Sequence, residues 1–285
     1  LISRPLLLAA QRAPAMEGLL PFEFERQPLS SIFTPLGGIA AYLVVVFGLR
    51  LFMRDRPPLK LKWPTFVHNV FLCLLSVAMC AGTLVELVAN SQENGPMSVV
   101  CDRQHTVMKG RMGLWMYIFY ASKYYELLDT VIMALKKRPL NFLHVYHHCI
   151  VMPLFWVYMQ HEMVIHWILV VANSAVHVFM YYYYACATVG KTVWWKKYIT
   201  MAQIIQFVID LTATWPFPML YYSNLGCSGS MRGWIFGQAV GFSFFKLFSD
   251  FYRRSYKARS AAPKEPPSPH KLPQADEKQA TAKND

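Results

Sequence analysis

Three histidines stand within one apolar stretch of the sequence, FLHVYHHCIVMPLFW, which runs from residue 142 to residue 156. His144, His147 and His148 are spaced so that one face of a helix carries all three imidazoles. An ionisable side chain is costly at membrane depth and usually marks a functional site there. Imidazole can accept an acyl group or move a proton, and burial favours its neutral, nucleophilic form. The stretch therefore predicts a buried catalytic face.

The composition indicates the class of protein that must hold this face. The chain has 285 residues, of which 55% are hydrophobic and 15% are charged, with 19 Phe, 16 Tyr and 8 Trp. This composition is too apolar for an ordinary soluble domain and indicates a membrane protein. The six cysteines form no CxxC pair, which argues against a structural zinc site.

Seven apolar stretches are each long enough to cross a bilayer, which takes about 20 helical residues. We place them at about 30–53, 65–89, 112–135, 140–160, 163–187, 198–222 and 232–252. The sequence therefore predicts an all-α integral membrane protein with seven transmembrane helices. The three histidines dilute the hydropathy of the fourth stretch, which makes it the weakest of the seven.

The distribution of Lys and Arg predicts the orientation. Basic residues are concentrated in the first, third and fifth connections and directly after the last span. Cytosolic loops carry such an excess, so we expect a lumenal N-terminus and a cytosolic C-terminus. The same alternation accounts for most of the net charge of +12 without nucleic acid as a partner. We divide the chain into a lumenal segment (1–29), a catalytic membrane domain (30–252) and a cytosolic tail (253–285), first basic and then disordered.

The cysteines divide into two groups. Cys101 and Cys227 fall in the second and sixth connections, on the lumenal side, where an oxidising compartment allows a disulfide, and two free thiols are the alternative. The other four lie within spans, where cysteine behaves as a small hydrophobe. Cys149 is a rival nucleophile to the histidines, but on a helix it points about 100° away from the adjacent His148, which favours packing.

Polar residues recur inside four consecutive spans. Besides the three histidines they are Lys123, Glu126 and Asp129 in the third span, Asn173, His177, Tyr181 and Tyr184 in the fifth, and Gln203, Gln206 and Asp210 in the sixth. At about 1.5 Å per residue, representatives of all four spans lie roughly 9–17 Å inside the cytosolic face. Single interhelical hydrogen bonds would scatter such groups, so a shared depth favours one site. His68 has only Glu86 as a polar companion in its own span, which favours a structural role, such as a single hydrogen bond between helices.

The motifs KYYELLDT, HVYHH, NSAVHVFMYYYY and TMAQIIQ, in this order, resemble the four signature motifs of the ELO family, the fatty acid elongases of the endoplasmic reticulum. The resemblance extends over about residues 21–252. It implies a seven-span fold in that membrane, with six helices enclosing a long tunnel. It also implies condensation of a long-chain acyl-CoA with malonyl-CoA, giving 3-oxoacyl-CoA, CO2 and free CoA.

The resemblance also implies roles for individual residues. His147 would accept the acyl group, His177 would be its partner across the site, and His144 and His148 would orient it or move protons. Developing oxyanions need hydrogen-bond donors. Asn173, Tyr184, Gln203 and Gln206 can supply these without a metal or other cofactor, and Tyr181 lies on the same helical face. Lys123, paired with Glu126 or Asp129, would receive a CoA phosphate or hold its helix in register.

Partners follow from the same resemblance. Beyond acyl-CoA, malonyl-CoA and the membrane lipid, they are the 3-ketoacyl reductase, dehydratase and enoyl reductase of the elongation cycle, together with a second copy of the chain in a homodimer.

Two alternative functions stay open. A membrane di-iron desaturase or hydroxylase also contains HxxHH, although only four of the nine histidines here share one depth. A seven-span receptor or transporter would need no such histidine cluster.

Overall fold

The computed structural model describes residues 22–223 and 225–257. Within these ranges the chain is helical and contains no strand. Most of the predicted N-terminal segment and the predicted disordered part of the tail, residues 1–21 and 258–285, lie outside the described residues. The helices are α1 (Phe33–Phe52), α2 (Lys62–Asn94), α3 (Arg111–Tyr125), α4 (Leu128–Leu135), α5 (Phe142–Gln160), α6 (Trp167–Thr188), α7 (Lys196–Ala213), α8 (Pro216–Tyr222) and α9 (Met231–Tyr252).

Four helical segments of the described chain are long and apolar enough to cross a membrane: Phe33–Phe52, Lys62–Asn94, Phe142–Gln160 and Val164–Thr188. The last of these joins α6 to the 3-10 turn Val164–His166 before it. The structure is therefore that of an all-helical integral membrane protein. The other predicted spans are shorter or more polar, since α3 has 15 residues and α7 contains Gln203, Gln206 and Asp210.

Two predicted spans are interrupted in the structure. The stretch predicted at 112–135 divides into α3 and α4. The turn between them has 3-10-type hydrogen bonds, from Leu127 N–H to the Tyr124 carbonyl and from Asp129 N–H to the Glu126 carbonyl. The stretch predicted at 198–222 divides into α7 and α8, where Pro216 begins the second helix. Proline lacks a backbone N–H and restricts the residue before it, which favours a helix boundary at this point.

Neighbouring helices pack into a closed ring. In order around the ring, α2 packs on α6, α6 on α7, α7 on α9, α9 on α5, α5 on α3, and α3 again on α2. Helix α1 lies against α4 and α5 instead. Between α3 and α5 the core is made of sulfur-containing and aromatic side chains, including Met112, Met116, Phe119, Met152 and Phe155, each at most 5% exposed. Flexible methionines fill gaps between the aromatic rings.

Residues 22–30 are anchored on the ring rather than separate from it. Phe24 is buried, and the Tyr117 hydroxyl donates to the Pro28 carbonyl at 2.6 Å. The indole N–H of Trp156 donates to the Ser30 carbonyl at 2.7 Å. The short segment before α1 thus packs against α3 and α5.

A disulfide joins the α2–α3 connection to the α8–α9 connection. It links Cys101 to Cys227, two residues that are 126 positions apart in the sequence. Next to it, the Asp102 carboxylate accepts backbone hydrogen bonds from Thr106 at 3.1 Å and Val107 at 2.8 Å. The covalent link and the capped turn fix two connections at the same end of the ring.

Candidate functional site

The three histidines of α5 lie on one face near the start of the helix. Asn141 caps α5, because its side-chain oxygen accepts a hydrogen bond from the His144 backbone N–H at 2.8 Å. The ring centres of His144 and His148 are 4.6 Å apart, and those of His147 and His148 are 5.3 Å apart. The three imidazoles therefore form one continuous cluster.

His144 is held by a hydrogen-bonded chain that reaches the helix outside the ring. Its Nε2 atom lies 2.8 Å from the Thr130 hydroxyl of α4. That hydroxyl lies 3.0 Å from the Tyr42 hydroxyl of α1. Thr130 and Tyr42 did not emerge from the sequence as site residues. Thr130 follows Asp129 directly in the KYYELLDT motif, which was the available signal for it, whereas a tyrosine in an apolar span gives none.

A buried ion pair lies beside the histidines. Lys123 Nζ is 2.8 Å from Glu126 Oε1, and both side chains are almost completely buried. The same amine donates to the Asn173 side-chain oxygen of α6 at 3.3 Å, and His177 Nδ1 lies 4.0 Å from Glu126 Oε1. Of the two partners that the sequence offered Lys123, the structure selects Glu126. The pair ties α3 to the helix that carries His177.

Asp129 has a different set of partners. Its two carboxylate oxygens lie 2.8 Å from His68 Nε2 and 2.9 Å from the Tyr181 hydroxyl. His68 thus makes a hydrogen bond between helices, and its partner comes from α4 rather than from Glu86 of its own helix. Glu86 itself pairs with Arg111 at 3.1 Å. Asp129 thus links α4 to both α2 and α6.

Two cavities meet at His147. The wide cavity has a volume of about 350 Å³ and is lined by all four predicted catalytic histidines. Its other lining residues include Glu126, Tyr181, Tyr184, Lys196, Gln203 and Tyr256. The narrow cavity has a volume of about 40 Å³, and its polar lining residues include Lys123, Asn173, Gln206 and Asp210. Most of its remaining wall is aliphatic or aromatic. His147 lines both cavities.

The narrow cavity contains a second polar group, in which Thr214 and Gln238 join Gln206 and Asp210. Gln206 donates to Asp210 Oδ2 at 3.0 Å, and Gln238 donates to the Thr214 hydroxyl at 2.8 Å. Within the described part of the chain, Asp210 Oδ1 and Gln238 Oε1 are buried without a hydrogen-bond partner. Asp210 stands four residues after Gln206 and is one of the polar residues that the sequence shows in the sixth predicted span.

Of the twelve predicted catalytic and substrate-binding residues, eleven line one of the two cavities. Asp129 does not, and it reaches the site through Tyr181. In the wide cavity, the Gln203 amide contacts the Met180 sulfur at 3.7 Å. Among the described residues there is no group of three or more His, Cys, Asp or Glu arranged to hold a metal ion.

Comparison with known proteins gives a consistent result. The model of the family described as ELO: GNS1/SUR4 family matches residues 27–264. Fatty acid elongase sre1 of Dictyostelium discoideum is 38% identical over 234 residues, covering 82% of this chain and 87% of that protein. Fatty acid elongase A of the same organism is 36% identical over 248 residues, covering 84% and 89%. Very long chain fatty acid elongase 2 of Mus musculus is 31% identical over 232 residues, covering 76% and 74%.

Proposed function

Because the chain belongs to the ELO (GNS1/SUR4) family, we propose that it catalyses the condensing step of fatty acid elongation. The reaction joins a long-chain acyl-CoA to malonyl-CoA and gives 3-oxoacyl-CoA, CO2 and free CoA, which makes the enzyme an acyltransferase, a very-long-chain 3-oxoacyl-CoA synthase. The position of His147 at the meeting point of the two cavities is the observation that carries this proposal. The family match does not favour the di-iron alternative.

The shapes of the cavities suit the two parts of the substrate. The wide cavity is lined by many polar side chains, and its volume of about 350 Å³ has room for the thioester end of acyl-CoA and for the malonyl group of malonyl-CoA. The narrow cavity has the apolar walls that an acyl chain requires. Its volume of about 40 Å³ has room for no more than a few water molecules, so side chains must move apart when a chain enters. We therefore expect acyl binding to be coupled to opening of the ring interior.

The proposed chemistry proceeds in two balanced steps. A neutral His147 attacks the thioester carbonyl, a C–N bond forms as the C–S bond breaks, and CoA leaves with the proton displaced from the imidazole. Malonyl-CoA then loses CO2, and the electron pair of the broken C–C bond forms an enolate. The enolate carbon attacks the acyl-imidazole carbonyl, the C–N bond breaks, and the imidazole takes up a proton from solvent.

Neighbouring groups can stabilise the charge that develops in both steps. Asn173, Gln203, Gln206 and Tyr184 line the cavities and bear N–H or O–H donors for an oxyanion. His177 lines the wide cavity together with His147 and is assigned as its partner. Lys123 already binds Glu126 and Asn173 and is almost fully buried, which favours a positioning role over contact with a CoA phosphate.

The surroundings of the site belong to the same proposal. We place seven spans in the endoplasmic reticulum membrane, with the N-terminus lumenal, the C-terminus cytosolic and the six-helix ring enclosing the acyl tunnel. The product would pass to the 3-ketoacyl reductase, dehydratase and enoyl reductase that complete the cycle, and the enzyme would form a homodimer. Glycan acceptor tags at each connection test the orientation, and a glycosylated C-terminal tag would contradict it.

The decisive experiment uses the purified full chain in lipid nanodiscs with radiolabelled malonyl-CoA and a series of saturated and unsaturated acyl-CoAs. We expect 3-oxoacyl-CoA and an equal amount of released CO2. Absence of product with every acyl-CoA, from folded protein, would overturn the proposal. Incubation with acyl-CoA alone should give an acyl adduct on His147 that peptide mass spectrometry can locate.

Two variants separate the possible nucleophiles. His147→Ala should abolish both the adduct and the product. Cys149→Ala should retain both, because Cys149 lines neither cavity. Product formation by His147→Ala would remove the acyl-histidine step while leaving condensation in place. If only Cys149→Ala lost the adduct, the thiol of Cys149 and not His147 would be the group that carries the acyl chain.

A further inference from the structure

We infer that Tyr42 and Thr130 are positioning residues that fix the tautomer of His144 and present its Nδ1–H to the wide cavity. This inference rests on the proposed condensing reaction and adds residues from outside the histidine cluster to it. Tyr42 belongs to α1, which lies outside the ring, and Thr130 belongs to the short helix α4. Neither side chain lines either of the two cavities.

The contacts form a continuous chain from α1 to the site. Tyr42 and Thr130 approach each other at 3.0 Å, and Thr130 and His144 at 2.8 Å. Tyr42 is 4% exposed, and Thr130 is completely buried. Water is thus kept away from both hydroxyl groups, which must find their hydrogen-bond partners inside the protein.

The hydrogen atoms can be assigned by counting donors and acceptors. Among the described residues, the Tyr42 hydroxyl has no hydrogen-bond partner other than Thr130, so the tyrosine must donate to Thr130 Oγ1. Thr130 has a single hydroxyl proton and directs it to His144 Nε2. A neutral imidazole that accepts at Nε2 holds its own proton at Nδ1. The chain therefore selects one of the two tautomers of His144.

This tautomer has a defined chemical consequence. His144 lines the wide cavity, where the reacting carbonyl groups are expected, and its ring lies 4.6 Å from that of His148. A neutral Nδ1–H is a hydrogen-bond donor and cannot at the same time act as a base at that atom. His144 is thus assigned to stabilise negative charge that develops on a carbonyl oxygen, while the proton transfers fall to other groups.

The position of Thr130 explains how one short helix can hold the site from both sides. The adjacent Asp129 binds His68 of α2 and Tyr181 of α6, whereas Thr130 binds Tyr42 of α1 and His144 of α5. Two consecutive side chains of α4 therefore contact four other helices. The break between α3 and α4 gives α4 an orientation that a continuous helix would not impose.

The test compares Thr130→Val, which keeps the shape but removes the hydroxyl, with Thr130→Ser, which keeps the hydroxyl. We expect Thr130→Val and Tyr42→Phe to lower kcat about tenfold with little change in KM, the rate equivalent of one lost hydrogen bond. Thr130→Ser should restore most of kcat. Thr212→Val is the matched control, because the Thr212 hydroxyl binds Val208 O of its own helix at 2.8 Å on the exposed surface.

A second readout does not depend on catalysis. Diethyl pyrocarbonate reacts with the unprotonated imidazole nitrogen, which in His144 is the Nε2 atom covered by Thr130. Peptide mass spectrometry should therefore find faster labelling of His144 in Thr130→Val than in wild type or Thr130→Ser, relative to His147 as an internal reference. Equal labelling and equal kcat in the Val and Ser variants would overturn the inference. Wild-type protein without condensing activity would instead refute the proposed function, and the labelling comparison would still test the Thr130 contact.

Discussion

The buried pair of Lys123 and Glu126 gives a quantitative prediction for stability. The two charges are 2.8 Å apart, and each residue is 1% exposed. Glu126 also accepts from the Ser122 hydroxyl at 3.1 Å, and the amine of Lys123 lies 3.9 Å from the centre of the Phe119 ring. We consider Glu126→Leu, Lys123→Met and the double variant that carries both changes.

Each single substitution leaves one charge buried without its counter-charge. Breaking a buried pair in this way costs about 3–5 kcal/mol, whereas replacing both members with apolar residues of similar volume is often neutral or stabilising. For a chain of this size, about 3 kcal/mol corresponds to a fall in Tm of roughly 6–12 °C. We therefore expect both single variants to be strongly destabilised and the double variant to be more stable than either.

Thermal and denaturant unfolding in detergent, followed by tryptophan fluorescence, measures these differences. The control is Lys246→Met, because the Lys246–Asp250 pair has a similar N–O distance of 3.0 Å but a lysine side chain that is 76% exposed. Exposed pairs contribute little, so its Tm should stay close to that of wild type. A double variant that loses as much stability as the two single variants together would refute the reasoning, since the charges would then act independently.

Three further predictions concern the connections and the narrow cavity. The double variant Cys101→Ala with Cys227→Ala removes the disulfide between residues 126 positions apart. It should lower the free energy of unfolding in denaturant by about 2–5 kcal/mol, and an unchanged midpoint would contradict this. Gly237→Ala places a Cβ against the Tyr158 hydroxyl at the wall of the narrow cavity. The products should then have shorter acyl chains by chromatography, and longer chains would contradict the prediction. Asp210→Leu removes a carboxylate oxygen that is buried without a hydrogen-bond partner among the described residues, and it should raise kcat/KM for saturated acyl-CoA; a fall would assign Asp210 to the reaction.

The histidine cluster could be predicted because its geometry is local. Spacings of three and four residues determine that His144, His147 and His148 share a helical face, whatever surrounds α5. The common depth of polar residues in four spans was also accessible, because helical rise converts sequence position into height. These two arguments were sufficient to name eleven of the residues that line the cavities.

The partners of those residues could not be predicted in the same way. The Tyr42–Thr130 contact spans 88 residues, and the His68–Asp129 contact spans 61. Such pairs depend on which helices are neighbours in the ring, and spacing along one helix does not determine this. The break before Leu128 was also inaccessible, because the tightened turn contains neither Pro nor Gly to signal it.

The residues that build the site are also those that make its helices difficult to recognise as membrane spans. Gln206 and Asp210 lower the hydropathy of α7, and the turn at Glu126 divides the third predicted span into two short helices. An isolated helix with these features would be costly in a bilayer, because its polar groups would face lipid. In the ring the same groups turn inward and bind one another, as Lys123 binds Glu126 and Gln206 binds Asp210. The stability of these helices therefore depends on closure of the ring, so variants that leave a buried group unpaired should weaken the fold and the reaction together.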